Sequence, residues 1–300
     1  GQSTIGTNGN ENGMVFASGR GEIAVPGHHL DSLGYTAYST VTIGATPDST
    51  SVYPRVMGSV YGGGENGHTY LQTTVNINSG TVGCTAEEYA AMSDDDKAKK
   101  FPYRGNVYGA GCGTDRYDDR DTTSYNPMSG MVQGNTLVNI KGGYISHNVY
   151  GGGAMSSVGF SSVTDTLDNT AIEAALSWPH KLSYAMGGKA EINITGGHIG
   201  TLAASASSGN VFGSSRGKAG DRYVYNLFAN TREAEVNINY NKPSANSNGS
   251  NVIIGSVYGS GENGHVYEDT KVTIDKGFIA GSVYGGGKGT DMYTDQLLIS

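Results

Sequence analysis

The sequence predicts an all-β chain wound as a right-handed parallel β-helix, or β-solenoid, whose smallest coil is about 26 residues. Three observations carry this prediction. The 300 residues include 48 Gly and 20 Tyr but only 7 Pro, and 15% are charged, a balance that favours short strands and turns over helices. Two short words recur along the chain in an order that never changes. The tightest spacing between successive copies of one word, Val257 to Val283, is 26 residues, which suits one three-strand coil and not a hairpin unit.

The first word pairs a Val with an aromatic residue and runs on into small residues. It begins at Val15, Val60, Val107, Val149, Val211, Val257 and Val283. The second is a short alternating strand beginning at Val41, Val75, Val138, Ile192, Val236 and Val272. A weaker third word, a Gly two residues before a Val or Ile, follows at Gly80, Gly143, Gly197 and Gly277.

Strands alternate faces with a period of two. Val75, Ile77, Val138, Ile140, Ile192, Ile194, Val236, Ile238, Val272 and Ile274 therefore share one face and are expected to stack inside the coil, with the intervening Asn or Thr outward. In the first word the Val faces inward and the aromatic the other way. Tyr61, Tyr108, Tyr150, Phe212, Tyr258 and Tyr284 should then form a column with a step of about 4.8 Å. The glycines that follow read as corners with positive φ. One coil buries little apolar surface alone, so stacking has to supply the core.

Copies longer than 26 residues carry their excess either between the first and second words or ahead of the next first word. Insertions are thus expected at two corners of a single domain spanning 1–300, near residues 84–104, 112–134, 154–188, 214–233 and 240–253. Two of them read as short helices opened by capping boxes: TAEEYAAM from Thr85, and TAIEAALSW from Thr170, which closes before Pro179. The DKAKK run that follows Asp94 and Asp95 reads as a solvated helix face.

A net charge of −8 with scattered Lys and Arg argues against nucleic acid as a partner. No run approaches the roughly 20 apolar residues of a membrane helix, so no membrane insertion by this segment is expected. Cys84 and Cys112 fit no metal spacing and leave open one disulfide or two free thiols.

The phrase GSVYGGGENGH at Gly58–His68 returns almost unchanged at Gly255–His265. Gly62, Gly64 and Gly67 match a dinucleotide-loop spacing, but a strand and not a helix follows. Lys288 in GGGKGT is followed by Gly, where a P-loop needs Ser or Thr. Glu65 and His68, echoed by Glu262 and His265, are candidate metal ligands. The reading preferred over it is a tight turn at Asn66-Gly67 and Asn263-Gly264.

DRYDDRD supplies Asp115, Asp118, Asp119 and Asp121, oxygen ligands dense enough to suggest calcium. Arg116 and Arg120 offset that charge, and EF-hand spacing is absent. No cofactor is expected, calcium being the one candidate ion. Motifs of serine hydrolases, zinc peptidases and dithiol oxidoreductases are missing. A carbohydrate-active reading falls on Asp115, Asp119 and Asp121 as the acidic cluster on an insertion. Candidate binding residues also include Trp178 and the aromatics Tyr108 and Tyr150. Against ligand stacking by that column stands a ladder that stabilises the coil by ring packing.

GGYISHNVYGGG and GFIAGSVYGGGKG resemble the repeats of large secreted or surface-anchored, adhesin-like proteins of Bacteroidetes. The resemblance runs from about Val15 to Thr290, and its motifs mark architecture without specifying a ligand. It implies an extracellular or cell-surface β-helix, part of a longer polypeptide, that meets a glycan or a protein on another surface. It also implies O-glycans on Asp-Ser/Thr followed by an apolar residue, read here at Ser32, Thr122 and Thr166, with Thr123 in the apolar place of the second. The function expected is a structural or adhesive surface module. The alternative is a β-helical polysaccharide lyase or glycoside hydrolase.

Overall fold

The structure, a computed structural model, describes residues 2–7, 12–21, 34–48, 50–99, 101–113, 128–161, 184–201, 208–217 and 229–289. Within them every copy of both words is a rung of a parallel sheet. The Val-aromatic strands Val15–Phe16, Val60–Tyr61, Val107–Tyr108, Val149–Tyr150, Val211–Phe212, Val257–Tyr258 and Val283–Tyr284 form one seven-stranded sheet, Val opposite Val and ring opposite ring. The 26-residue spacing is a direct pairing, Val257 with Val283.

The second word lies in longer strands paired in the register Val41, Val75, Val138, Ile192, Val236, Val272. A third face stacks Thr4–Ile5, Arg55–Val56, Thr81–Val82, Tyr144–Ile145, His198–Ile199 and Val252–Ile253, with Ile279 bridged to Ile253. The chain is a parallel β-helix. Its one antiparallel pair among the described strands, Phe160–Ser161 with Tyr184–Met186, lies off the coil.

The core is the column pattern made solid. Val75, Ile77, Val138, Ile140, Ile192, Ile194, Val236 and Ile238 are all buried and pack with the Val of each first word from Val15 to Val257 and the apolar residue of each third word. Ile274 departs from expectation at 45% exposed, as do Val283 and Tyr284 on the same end. They stand on the last described rung, with a neighbouring rung on one side only.

Outward-facing polar residues form ladders of their own. Asn139, Asn193 and Asn237 each donate from Nδ2 to the Oδ1 of the Asn one rung back, at 3.0–3.4 Å, starting from Asn76. A second ladder, buried through its Asn rungs, occupies the position just before the Val of each first word from Val60 onward. Asn106 Oδ1 accepts from the Asn148 backbone N–H, Asn148 Oδ1 from that of Asn210, and Asn210 Oδ1 from that of Ser256.

Ser59 and Ser256 hydroxyls do the same for Asn106 and Ser282. A short polar side chain here supplies a further acceptor to backbone at the corner. Asn148→Ala is therefore expected to cost about 1–3 kcal/mol, the penalty of weakening a buried polar network. Asn237→Ala on the outer ladder should stay within about 0.5 kcal/mol. Denaturation midpoints of the two variants check this.

The glycines after the aromatic residue are needed for a reason other than the positive φ expected of them. Gly62, Gly109, Gly151, Gly213 and Gly259 have no positive φ. A Cβ on any of them would instead stand 2.0–2.2 Å from the carbonyl oxygen of the equivalent glycine one rung on. The rungs approach so closely that no side chain fits between them. Positive φ does occur at the corner before the third face, at Gly80, Gly143 and Gly197.

Within the two intervals that carry the excess residues, insertions leave the coil at four corners. Single bridged residues add two columns that the recurring words do not reveal, one through Glu65, Cys112, Ala154, Arg216 and Glu262 and one through Thr69, Val132, Val158 and Thr231. Extra residues depart between Cys112 and Val132, between Val158 and Lys189, between Asn239 and Val252, and between Val82 and Val107. Each exit falls at a corner, where lengthening the chain breaks no rung pairing.

Candidate functional site

From Tyr61 to Phe212 the aromatic column is enclosed. After the glycines the chain turns back, and the bridged column roofs the rings: Tyr61, Tyr108, Tyr150 and Phe212 cluster with Ala154 and Cys112. Successive rings from Phe16 to Tyr284 stack at 4.6–5.0 Å with interplanar angles of 7–12°. Tyr108 and Tyr150 are each 1% exposed, so no ring face of either is open to a ligand.

Their phenols enter a buried polar chain. Tyr150 donates to Glu262 Oε2 at 2.6 Å and accepts from Asn148 Nδ2, while Glu262 also takes Lys288 Nζ at 3.0 Å. Tyr108 is hydrogen-bonded to Arg216. Burial pushes the Tyr108 phenol up to about 12, and the Cys112 thiol beside it to about 11, the charge of Glu65 adding to the latter. Cys84 and Cys112 are both free thiols.

Glu65 and His68 sit in different settings. The Glu65 carboxylate is at the surface in an ion pair with Arg20 at 3.0 Å, whereas His68 is 1% exposed. Asn66 and Asn263 adopt φ of 55° and 53°, the left-handed turn conformation that Asn tolerates well. Among the described residues no three His, Cys, Asp or Glu side chains approach one another as a metal set. Asp115, Asp118, Asp119, Asp121, Trp178, Ser32, Thr122 and Thr166, and the helix read at Thr170, lie outside the described residues.

One open groove on the third face was not anticipated from the recurring words. It begins with the insertion between Val82 and Val107. Thr85 caps the helix α1, Ala86–Ala91, accepting from the Glu88 N–H while Glu88 accepts from the Thr85 N–H. The same Glu88 carboxylate pairs with both of its oxygens to Arg55 on the neighbouring rung. Behind α1, Tyr89 packs on Phe101 and Phe101 on His147, each at 4.6 Å, with Cys84 buried among them. The following helix α2, Asp94–Lys99, buries no residue, as its charge run led one to expect.

With α1 fixed, Thr85, Ala86 and Glu87 form one wall of the groove, Thr50–Val52 the other, and Thr81 and Tyr144 the floor, around about 270 Å³. The facing wall is held by Asp48, whose Oδ1 accepts from the N–H and hydroxyl of Thr50 at 2.8 and 2.9 Å. These bonds hold the Asp48 carboxyl below its usual range. The Glu87 carboxyl is lowered too, by its own backbone N–H first and by the Thr85 hydroxyl second. Tyr144 stacks on His198 at 5.0 Å and 22° and donates to Thr201 Oγ1.

Two carboxylates of the long-strand face, Glu191 and Glu235, are neutralised by lysines. Glu235 binds Lys189 at 2.7 Å and Lys271 at 3.0 Å, and Glu191 binds Lys189 at 3.0 Å. Those lysines hold Glu235 down at about 2. A folded value below the ordinary 4.5 means that this stabilisation is complete above pH of about 4.5 and is lost as pH falls toward 2. The melting-temperature gap between the wild type and Glu235→Gln is expected to be open at neutral pH and closed near pH 2. A gap that persists there counts against the ladder.

Comparison with protein-family models, with curated proteins and with solved structures finds no match to this chain.

Proposed function

We propose that the chain is a structural and adhesive module of an extracellular or cell surface, a stiff β-solenoid that presents its insertions to a glycan or a protein on another surface. The observation that carries this reading is the contrast between coil and insertion. Seven Val-aromatic rungs pair without a break, so the coil works as a spacer whose length grows by one strand spacing per turn. All variation in chain length is placed on corners, and surface loops held on a rigid scaffold are where binding usually resides.

The β-helical lyase or hydrolase needs acid and base groups disposed about one bond. Among the described residues the groove beside α1 offers Glu87 alone, and Glu191 and Glu235 on the long-strand face are held by lysines. A panel of soluble polysaccharides, scored both for retardation of the protein and for release of reducing ends, tests the two readings. Retardation without new reducing ends is the expected result. Release of reducing ends by the purified chain overturns it.

A further inference from the structure

We propose that the groove between α1 and Thr50–Val52 is a subsite for one neutral pyranose residue, stacked on the groove side of the half-buried Tyr144; this rests on the adhesive reading above and supplies it with a ligand site. The outward column of the third face runs Arg55, Thr81, Tyr144, His198. The Tyr144 ring stacks on His198 on one side. Its other face is turned to the Thr81 rung, where a threonine, itself 3% exposed, stands in place of a further ring and the groove lies outside it.

Adjacent rungs lie about 4.8 Å apart, the separation at which the buried rings of this protein stack on each other, so the vacancy beside Tyr144 corresponds to one ring position. A flat apolar face therefore fits it. The rim is polar: the hydroxyl residues Thr50, Ser51 and Thr85 and the Glu87 carboxylate surround it. An apolar floor with a few convergent polar groups is the usual make-up of a ligand site.

A pyranose presents that combination, C–H groups on one face and hydroxyls around the edge. The single charge among the lining side chains is the Glu87 carboxylate, with no cation to offset it, so a uronate is disfavoured and a neutral sugar selected. A volume of about 270 Å³ is below the roughly 300–1,000 Å³ of sites for larger ligands, which limits occupancy to about one ring of a longer glycan.

The walls are fixed before a ligand arrives. The Arg55–Glu88 pair and the Tyr89–Phe101–His147 packing hold α1, the Tyr144 hydroxyl bond to Thr201 sets the ring, and Asp48 holds Thr50. Little ordering cost then falls on binding.

Affinity electrophoresis of the full chain through a soluble β-glucan, a galactan, a mannan and polygalacturonate tests the proposal, with Tyr144→Ala, Thr81→Phe and Ala86→Trp beside the wild type. Thr81→Phe fills the vacancy with a ring, and Ala86→Trp blocks the groove from its wall without touching a rung. Thermal melts confirm that each variant used is folded. Retardation by at least one neutral polysaccharide is expected, weakened roughly tenfold or more in every folded variant. Neutral retardation that Ala86→Trp and Thr81→Phe leave unchanged, or retardation by polygalacturonate alone, overturns the groove and leaves the adhesive reading standing. Retardation by none of the four overturns the groove together with the glycan arm of that reading.

Discussion

Gly151→Ala is expected to destabilise the β-helix by about 3 kcal/mol, the upper end of what overpacking a tight interior usually costs. The added methyl would stand 2.2 Å from the Gly213 carbonyl oxygen. The peptide unit next to that oxygen is held at both ends, Phe212 O accepting from Gly151 N–H and Gly213 N–H donating to Tyr258 O, each at 2.9 Å, so the carbonyl cannot swing away without straining them. Displacing it disturbs two pairings at once. Gly286→Ala offers a comparison within the same protein: nothing lies within 4 Å of its Cβ position and its φ is not positive, so its effect should remain within about 0.5 kcal/mol. Denaturant midpoints decide the matter, and equal midpoints for the two variants refute close rung approach as the role of this glycine column.

Tyr150→Ala is expected to cost about 3–5 kcal/mol, as for other large buried aromatics cut back to Ala. The ring lies between Tyr108 at 4.7 Å and Phe212 at 5.0 Å and is 1% exposed. Tyr150→Phe keeps the stack but removes the donor to Glu262, a bond to a charged group worth about 1.5–3 kcal/mol. The expected order of melting temperatures is wild type, then Tyr150→Phe, then Tyr150→Ala, and Tyr108→Ala should fall with the last. At temperatures where these variants remain folded they should be retarded by polysaccharide as the wild type is. Loss of retardation with an unchanged melting temperature is the result that returns the column to ligand binding.

The two variants differ from those in the groove for a physical reason. Tyr144 belongs to the third face, whose outward side is solvent or insertion, whereas Tyr108 and Tyr150 are turned toward a segment of their own coil. An aromatic residue on a strand reads the same in either case. Period-two alternation states which side a ring is on and says nothing of what covers that side.

Much of the frame was legible in the residues themselves. Val75 and Ile77, Val138 and Ile140, and Ile192 and Ile194 stack inside the coil because alternation leaves them no other face. The ring column keeps the spacing of its strands because each ring is carried on one rung. The Thr85 capping box forms because it closes within four residues of chain. The corner ladder is legible as well: the residue before the Val of each first word is Ser or Asn from Ser59 onward, and these side chains accept from the backbone of the next rung.

Local repetition thus determined the coil, its pitch and its inward residues, since each depends on contacts between equivalent positions that the sequence spells out rung by rung. Tertiary structure alone decided three other things. It placed Gly213 O where a Cβ on Gly151 would be, roofed the rings with Ala154 and Cys112, and brought Thr50–Val52 against Thr85–Glu87 over Tyr144. These contacts join positions that are not equivalent in the repeat, at distances set by how corners fold back in space, and no periodicity in the chain records them.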